Sequence, residues 1–458
     1  MKKRQLLLTF TLLSILSINS AFAQMDNLAN MSAEWIRMNN RNAALDATDI
    51  VNYNPAGLVF LKQGFNLNLS NQTLIRQPKH TYDLGLGDGV KSFKQDGIDA
   101  FLPMFYASYV QEKWAIGTGV YISGGGASVN YPDGSISTDI MTTQILYTTP
   151  APAPFPTGTT LNDLYSSNEQ SLKASSYYLT IPLSFSYKIN DIFSVSIGGR
   201  YIRGINNTKA ALTLKDSPFN APNTDINIDY DATANGFGYV LGVNAAISER
   251  LNIAAHFESK VKLDFENDVK EDGTNLFTDG AKNRRDLPAV INTGISYKIT
   301  NKLRAEVNYN YYFQTKADWG TTLEGTPMAE KTSKLAGNCY TLGTGFAYDL
   351  NEKTQFSLGC SYTHFGYDND TNKELYYSNL GWYEALKNSN LNIGFGGSYE
   401  VLKDLKLNLG FGITSWKDYD INSINAQGLK DAGIPITNTN VHCEDNSYVI
   451  SIGINYSL

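Results

Sequence analysis

The chain repeats one pattern along most of its length, in which apolar and polar residues alternate over long stretches between polar turns. In one stretch, Leu303, Val307 and Tyr309 share a face, and Arg304 and Glu306 share the opposite face. Successive side chains of a β-strand point to opposite sides of the sheet, so this alternation predicts strands with one apolar face. A soluble sandwich also alternates, but its strands are normally shorter. The sequence therefore predicts an all-β fold, the wall of a transmembrane β-barrel.

The turns between these stretches are arranged asymmetrically. Tight turns lie near Glu112, Asn190, Glu249, Asn301, Glu352 and Lys403, and from Asn190 onward they are 59, 52, 51 and 51 residues apart. Longer polar loops lie between them, the longest over residues 130–173. Short turns at one end and long loops at the other are typical of outer-membrane barrels. Six turns join twelve strands, and one more strand at each end (64–77 and 445–458) predicts about 14 antiparallel strands.

Two further stretches define the expected lipid-facing side. Residues 405–413 and residues 253–265 are each expected to form one continuous strand. The alternation of the second places these apolar residues on one face: Ile253, Ala255, Phe257, Val261, Leu263 and Phe265. No apolar stretch after residue 23 is long enough for a spanning helix, which excludes a helical membrane protein.

The first residues of the chain predict secretion. Lys2-Lys3-Arg4 precedes an apolar run over residues 6–18 and then Ala21-Phe22-Ala23, which predicts a signal peptide over residues 1–23. Its removal leaves 34 Lys and Arg against 44 Asp and Glu, a net charge of −10. A nucleic-acid partner is not expected, because phosphate binding requires clustered cations.

Residues 24–62 do not alternate, and they precede the first strand. They end near Asn54-Pro55-Ala56-Gly57, a segment that resembles the N-terminal hatch of the FadL/TodX family of outer-membrane transporters. Three other segments resemble the same family: residues 235–265 (its central hairpin), Asp286-Leu287-Pro288 and residues 114–128 (its third strand). The predicted organisation is a signal peptide (1–23), a hatch (24–62) that plugs the lumen and an outer-membrane barrel (63–458).

The resemblance implies passive, ligand-gated uptake of hydrophobic compounds, either long-chain fatty acids or aromatic hydrocarbons. It implies that Asn54, Pro55, Ala56 and Gly57 move as the gate. It also implies that an inward kink in strand 3 at Gly124, Gly125 and Gly126 opens a lateral exit into the membrane. Arg203 is a candidate contact for a carboxylate headgroup. The expected partners are the hydrophobic small molecule, outer-membrane lipid and the barrel-assembly machinery, with the protein as a monomer.

Each of these residues also has a simpler interpretation. Asn-Pro is common in turns that end a helix, and three glycines can merely begin a loop. The inward-facing charges are more simply explained as a lumen network that holds the hatch than as substrate contacts, since buried charges need partners. This group contains Arg200, His256, Glu258, Lys260, Arg304, Glu306, Glu400 and Lys406.

Catalytic motifs are missing from the sequence, which contains neither Gly-x-Ser-x-Gly nor His-Glu-x-x-His. We therefore expect no enzyme activity, no cofactor and no metal. Three rival functions stay open. They are a surface-exposed structural or adhesive barrel that binds host or phage ligands without transport, a hydrophilic diffusion porin, and a barrel-embedded lipase.

Overall fold

The computed structural model describes residues 32–125, 127–322, 329–380 and 388–458. The predicted signal peptide (residues 1–23), residues 24–31 of the predicted hatch and Gly126 all lie outside the described residues. Among the described residues, no helix is both long enough and apolar enough to cross a membrane.

Within the described residues, fourteen antiparallel strands form one closed barrel, as the alternation predicts. Leu67 on the first strand pairs with Ala107 on the second and with Tyr456 on the last. Closure matters in lipid, which offers the backbone no hydrogen-bond partners. In chain order the strands are β1 (Gly64–Arg76), β2 (Ile98–Val110), β3 (Trp114–Ile122 and Ala127–Tyr131), β4 (Ser167–Lys188), β5 (Phe193–Lys215), β6 (Thr224–Ala246), β7 (Leu251–Glu258 and Asp264–Asp272), β8 (Lys282–Arg284 and Val290–Lys298), β9 (Leu303–Tyr312), β10 (Cys339–Asp349), β11 (Thr354–Phe365), β12 (Asn390–Leu402), β13 (Leu405–Trp416) and β14 (Asn446–Ser457).

Side chains alternate between the lipid side and the lumen. On β9, Val307 is 48% exposed on the outer surface, whereas Glu306 is 1% exposed and faces inward. On β13, Leu409 is exposed and Asn408 is buried in the same way. The predicted faces of these two strands are confirmed, and all six predicted turns fall between paired strands.

Residues 32–62, which we call the hatch, contain no strand and lie inside the barrel. They form α1 (Ala33–Ile36), α2 (Ile50–Tyr53) and a 3₁₀-helix (Pro55–Phe60). The Ser32 Oγ accepts a hydrogen bond from the Trp35 N–H at 3.1 Å and so caps the start of α1. Pro55 begins the 3₁₀-helix, where its missing N–H has no cost.

The wall is uneven because three strands are interrupted. β3 stops at Ile122 and resumes at Ala127, while β7 is interrupted at residues 259–263 and β8 at residues 285–289. The interruptions of β7 and β8 are paired, since the Val261 N–H donates to the Leu287 carbonyl oxygen at 3.0 Å.

The continuous lipid-facing strand expected over residues 253–265 is therefore wrong. Ile253 lies on the outer surface as expected, but Val261 and Leu263 are fully buried on the inner side of β6. Gly236 of β6 faces them, and a Cβ atom there would lie 2.5 Å from Val261 Cγ1. The chain moves inward at this point because inward-facing glycines leave room for it.

β4, β5 and β6 are 22, 23 and 23 residues long. A membrane-spanning strand needs about 9–11 residues. The outer halves of these three strands therefore extend beyond the membrane, where their outer face carries polar pairs such as Lys209 Nζ and Asp229 Oδ2 at 2.7 Å. The exposed Phe237 side chain lies near the upper end of the apolar surface of β6.

The long loops fold over the barrel as an extracellular cap. Trp319, Tyr376 and Leu429 belong to the buried apolar core of this cap. The loop over residues 130–173 contains two of its helices. The helices of the cap are α3 (Ile136–Thr148), α4 (Leu161–Leu164), α5 (Thr332–Ala336), α6 (Asp370–Leu380) and α7 (Ile424–Asp431), and its four-stranded sheet comprises Lys79–Tyr82, Lys91–Lys94, Tyr419–Asn422 and Asn440–Glu444.

Candidate functional site

The segment Asn54-Pro55-Ala56-Gly57 is hydrogen-bonded to the inner faces of β4, β5 and β6. The Ser186 Oγ donates to the Pro55 carbonyl oxygen at 2.7 Å, and the Ser194 Oγ donates to the Ala56 carbonyl oxygen at 2.6 Å. Asn244 on β6 holds the Asn54 side chain, with 2.9 Å between Asn54 Nδ2 and Asn244 Oδ1. The wall thus donates hydrogen bonds to two backbone carbonyl groups of this segment, while the Asn54 carbonyl oxygen accepts from the Gly57 N–H at 2.9 Å.

Gly57 is required by a close approach within the hatch. A Cβ atom there would lie 2.6 Å from Asn54 Nδ2 and 2.7 Å from Leu45 Cδ2. The Asn54 Nδ2 group also donates to the Ala44 carbonyl oxygen at 3.1 Å. Residues 44–57 therefore fold back on themselves, and the gating role of the four residues stays a prediction.

A buried ion cluster joins the first half of the hatch to β9. Arg41 is fully buried, and its guanidinium lies 2.5 Å from Asp46 Oδ1 and 2.6 Å from Asp49 Oδ1. Arg304 on β9 contacts Asp46 Oδ2 at 2.7 Å and Glu306 Oε1 at 3.1 Å. Burial alone would raise the pKa of Asp46, but Arg41 and Arg304 outweigh it and hold that pKa well below its usual range. The cluster is thus a set of mutually paired charges.

Three inward-facing glycines allow the backbone at the end of α1 and just after it, residues 36–38, to lie directly on the wall. A Cβ atom would lie 2.4 Å from the Met38 carbonyl oxygen at Gly345, and 1.8 Å from the same oxygen at Gly359. At Gly394 it would lie 1.9 Å from the Ile36 carbonyl oxygen. No side chain fits between hatch and wall here, so the three glycines form a seat for α1.

Glu34 on α1 is the buried carboxyl group of the hatch on the side of β1 and β14. Its Oε1 accepts hydrogen bonds from Asn68 Nδ2 at 2.9 Å and from Asn455 Nδ2 at 2.5 Å. Burial, with a smaller contribution from the Asp49 carboxylate, raises the pKa of Glu34 to about 7. The charge on this group therefore changes near neutral pH.

Besides the hydrogen bonds of Asn54, Pro55 and Ala56, the second half of the hatch makes apolar contacts with the wall. Ile50 and Val51 of α2 pack in one buried cluster with Met104 and Tyr106 of β2 and with Tyr121 of β3. Leu58 and Val59 of the 3₁₀-helix belong to the same cluster. This cluster lies directly beside the interruption of β3.

The ladder between β2 and β3 ends at the pair Phe105 and Val120. In the described part of the chain, residues 98–104 of β2 pair with β1 but not with β3. Pro103, which has no N–H to donate, lies in this stretch. The wall therefore has a side gap between β2 and β3.

The gap is bounded on its extracellular side by polar contacts. The Asp99 Oδ1 accepts a hydrogen bond from the Ser128 Oγ at 2.6 Å. Gly125 has a φ of +89°, and a Cβ atom there would lie 2.4 Å from the Ser176 carbonyl oxygen. Gly124 and Gly125 therefore lie in the interruption of β3, while Gly126 is outside the described residues. Lateral exit through this gap stays a proposal.

The lumen charges form separate groups rather than one network. The buried Arg200 pairs with Glu258, and its Nη2 donates to the Ser259 carbonyl oxygen at 2.9 Å. His256 Nε2 lies 3.2 Å from Glu258 Oε1. Lys260 Nζ lies 3.2 Å from Asp286 Oδ2. These contacts lie at the inward turn of β7, whereas only Arg304 and Glu306 belong to the cluster that contains hatch residues.

Two other predicted groups lie apart from the hatch. Glu400 and Lys406 are register partners on β12 and β13, and no salt bridge joins them within the described ranges. Arg203 lies on the outer face of β5, where its Nη1 donates to Asn235 Oδ1 at 3.0 Å. Its position does not support a headgroup contact inside the lumen, since Ile202 and Gly204 face inward there.

The residues that fix the hatch belong to no recognisable motif and were not among the predicted site residues. Arg37 donates to Ser357 Oγ at 2.7 Å, and Arg41, Asp46 and Asp49 form the ion cluster described above. The sequence does contain a signal for them. Residues 34–49 carry five charged side chains, and asparagine supplies most of their other polar groups. Ser186, Ser194 and Asn244 carried no comparable signal. In the described ranges, no three His, Cys, Asp or Glu side chains are arranged to hold a metal ion.

A family model described as outer membrane protein transport protein (OMPP1/FadL/TodX) matches residues 132–456, more than half of the chain. The chain belongs to this family. The predicted family, the barrel fold and the outer-membrane location are therefore confirmed. Members of the family are channels that transport hydrophobic small molecules. A search of curated protein sequences found no match to this chain.

Solved structures of such transporters are similar to the barrel at low sequence identity. A FadL homologue of Pseudomonas aeruginosa is 13% identical, with a TM-score of 0.64 over 94% of this chain and 98% of that chain. The toluene transporter TbuX of Ralstonia pickettii is 16% identical, with a TM-score of 0.55 over 94% and 99%. The toluene transporter TodX of Pseudomonas putida is 14% identical, with a TM-score of 0.58 over 95% and 100%. At such identities the likeness shows the shared fold.

Proposed function

We propose that this protein is a passive, ligand-gated channel through which hydrophobic compounds enter the cell. The observation that supports this proposal is the apolar contact between α2 and the wall beside the gap in β3. It joins the plug of the lumen to a side gap in the wall. A ligand that enters this contact acts on the hatch and on the gap at the same time. Transport needs no energy source because the ligand moves down its concentration gradient.

The proposed route has three steps. A ligand first leaves the extracellular cap and enters the lumen above the hatch. The hatch then shifts near Asn54, Pro55 and Ala56, which separates α2 from β2 and β3. The ligand finally leaves sideways into the membrane through the gap near Gly124, Gly125 and Gly126. An apolar ligand favours this last step because lipid is a better solvent for it than the periplasm.

The proposed cargo is a long-chain fatty acid or an aromatic hydrocarbon. TbuX and TodX are described as toluene transporters, which supports the second class. We further propose that residues 24–62 form the complete hatch, and that the protein works as a monomer without a cofactor or a catalytic step. Its remaining partners would be outer-membrane lipid and the barrel-assembly machinery.

Uptake by whole cells tests the proposal. Cells that lack their own hydrophobic transporters are given labelled oleate, toluene or a small sugar, with and without this protein. We expect faster entry of at least one apolar probe and no change for the sugar. Heat-modifiable migration on gels confirms that equal amounts of folded barrel are compared.

Two results would reject the proposal. Faster entry of the sugar would indicate a hydrophilic diffusion porin with an open lumen. No change with any probe would favour the alternative, a surface-exposed barrel that binds host or phage ligands without transport. The tall outer halves of β4, β5 and β6 would then be the first place to seek such a ligand.

A further inference from the structure

We propose that the Tyr106 hydroxyl, together with Ser108 on the same strand, binds the hydrogen-bonding end group of an otherwise apolar ligand on its way to the gap beside β3. This inference rests on the proposed function and narrows its cargo. The preferred ligand would be an amphiphile such as a fatty acid rather than a plain hydrocarbon.

Tyr106 lies at the lower border of the gap. The last two rungs of the ladder between β2 and β3 are Phe105 with Val120 and Tyr106 with Gly119. The Tyr106 ring covers Gly119, since a Cβ atom on that glycine would lie 2.7 Å from Tyr106 Cδ1. The side chain faces inward, so the ring lies on the lumen side of this border of the gap.

Both hydroxyl groups are buried without a partner. Tyr106 is 0% exposed and Ser108 is 3% exposed. In the described part of the chain, neither Tyr106 Oη nor Ser108 Oγ has a hydrogen-bond partner. The nearby Tyr53 differs, because its hydroxyl accepts a hydrogen bond from the Ser32 N–H at 3.3 Å. Unpaired buried hydroxyl groups are rare in native proteins, because each one is destabilising.

The ring of Tyr106 lies in apolar surroundings that suit an acyl chain. The rings of Tyr106 and Tyr121 are 5.6 Å apart, and Met104 completes the apolar surface on β2. Ile50 and Val51 of α2 cover this surface while the hatch is in place. When α2 moves, an acyl chain can take the place of these side chains. A carboxylate or hydroxyl at its end can then pair with the two orphaned groups.

The test compares two probes of equal chain length. Full-length protein with Tyr106→Phe or Ser108→Ala is produced in the transport-deficient cells, and uptake of labelled palmitate and hexadecane is measured. The phenylalanine keeps the ring over Gly119, so the barrel should assemble normally. We expect Tyr106→Phe to reduce palmitate uptake about tenfold, which corresponds to the loss of one hydrogen bond to a charged group, and to leave hexadecane uptake unchanged.

Tyr312→Phe is the matched control. Tyr312 is also buried and faces inward, but it lies at the end of β9 and its hydroxyl already has partners in Asn310 and Thr341. The ratio of palmitate to hexadecane uptake should not change in this variant.

Four results would overturn the inference. An equal change for both probes in Tyr106→Phe would mean that the hydroxyl supports the hatch rather than the ligand. Unchanged uptake of both probes would mean that it has no role. Wild-type protein that carries hexadecane but not palmitate would reject the end-group site and leave the proposed channel standing. If wild-type protein moves toluene but neither of these probes, the end-group site is rejected and the channel stands, whereas failure to move any of the three rejects both.

Discussion

The two halves of the hatch are held by different kinds of contact. Residues 32–49, the clamped half, are held by buried ion pairs, by hydrogen bonds such as that from Arg37 to Ser357, and by the glycine seat. Residues 50–60, the apolar half, contact β2 and β3 through Ile50, Val51 and Leu58. The difference matters because an apolar ligand cannot replace an ion pair, but it can replace an apolar side chain at little cost. We therefore expect the apolar half to be the part that moves for cargo, which requires that the three hydrogen bonds of Asn54, Pro55 and Ala56 also break.

Crosslinking each half to the wall gives the largest expected difference. A Cβ atom on Gly242 would lie 3.5 Å from the Cβ of Ala56, a separation that suits a disulfide. Ala56→Cys with Gly242→Cys should therefore lock the apolar half and abolish uptake until a reductant is added. Ala33→Cys with Gly453→Cys, where the two Cβ atoms would be 3.1 Å apart, should lock the clamped half and leave most uptake intact.

Single substitutions and reduction provide the controls for this comparison. Each of the four cysteine substitutions alone should transport normally in oxidising medium. Full activity of the crosslinked Ala56 and Gly242 pair would contradict a moving apolar half. Equal inhibition by both crosslinks would show that the hatch moves as one body.

Removal of one charge should weaken the clamped half strongly. Arg41→Met leaves Asp49 buried without its cation, and breaking a buried ion pair typically costs about 3–5 kcal/mol. Hydrogen exchange should report lost protection of residues 32–49. Lys62→Met is the matched control, because the exposed pair of Lys62 and Asp404 at 2.9 Å should contribute about 0–1 kcal/mol. Unchanged hydrogen-exchange protection of residues 32–49 in Arg41→Met would show that the ion pairs do not hold the clamped half.

A methyl group in the glycine seat should have an intermediate effect. Gly359→Ala would place its Cβ 1.8 Å from the Met38 carbonyl oxygen, so α1 must lift from the wall. Overpacking of this kind costs about 1–3 kcal/mol. Planar-bilayer recordings should show a larger ion leak than in wild type. Gly199→Ala, whose Cβ would meet nothing nearer than 3.6 Å, should not leak, and a leak in both variants would count against the seat.

The smallest expected effect is a pH dependence of hatch docking, which the Glu34 carboxyl group causes. While the hatch is docked on the wall, the pKa of Glu34 is raised to about 7 from the usual 4.5. At pH values between 4.5 and 7, the docked hatch therefore binds more protons than a hatch that has moved off the wall. Docking should therefore be strongest below about pH 4.5 and weaken as the pH rises towards 7. Leak currents between pH 5 and pH 8 measure this change. Glu34→Gln should remove the dependence, and an unchanged profile in that variant would assign it to another group.

The wall could be predicted from the sequence because each strand carries its own signal. Alternation and tight turns are local features, and both survive in the structure at β9 and β13. The inward turn of β7 is different. Val261 and Leu263 still alternate with polar residues, but the chain that carries them lies inside the wall. Alternation predicts which side chains share a face, and it does not predict such a displacement of the backbone. The only hint lies on another strand, in Gly236 and Gly238 of β6.

The candidate site could be predicted only in part for a related reason. Asn54-Pro55-Ala56-Gly57 stood out as a motif, but its partners Ser186, Ser194 and Asn244 are single polar residues on three different strands. No neighbouring sequence feature distinguishes these three residues from the other polar residues that face the lumen. The face of β5 on which Arg203 lies was hard to predict for a similar reason, since a shift of one residue along a strand moves a side chain from the lumen face to the outer face.

The glycine seat also sets the order in which the molecule can assemble. α1 lies close to the beginning of the chain, but its seat is formed by glycines of β10, β11 and β12. β1 likewise finds its second neighbour only when β14 exists, as Leu69 pairs with Ile454. Joining segments so distant in the chain is entropically slow. The seat for α1 is therefore complete only once β10, β11 and β12 are in place.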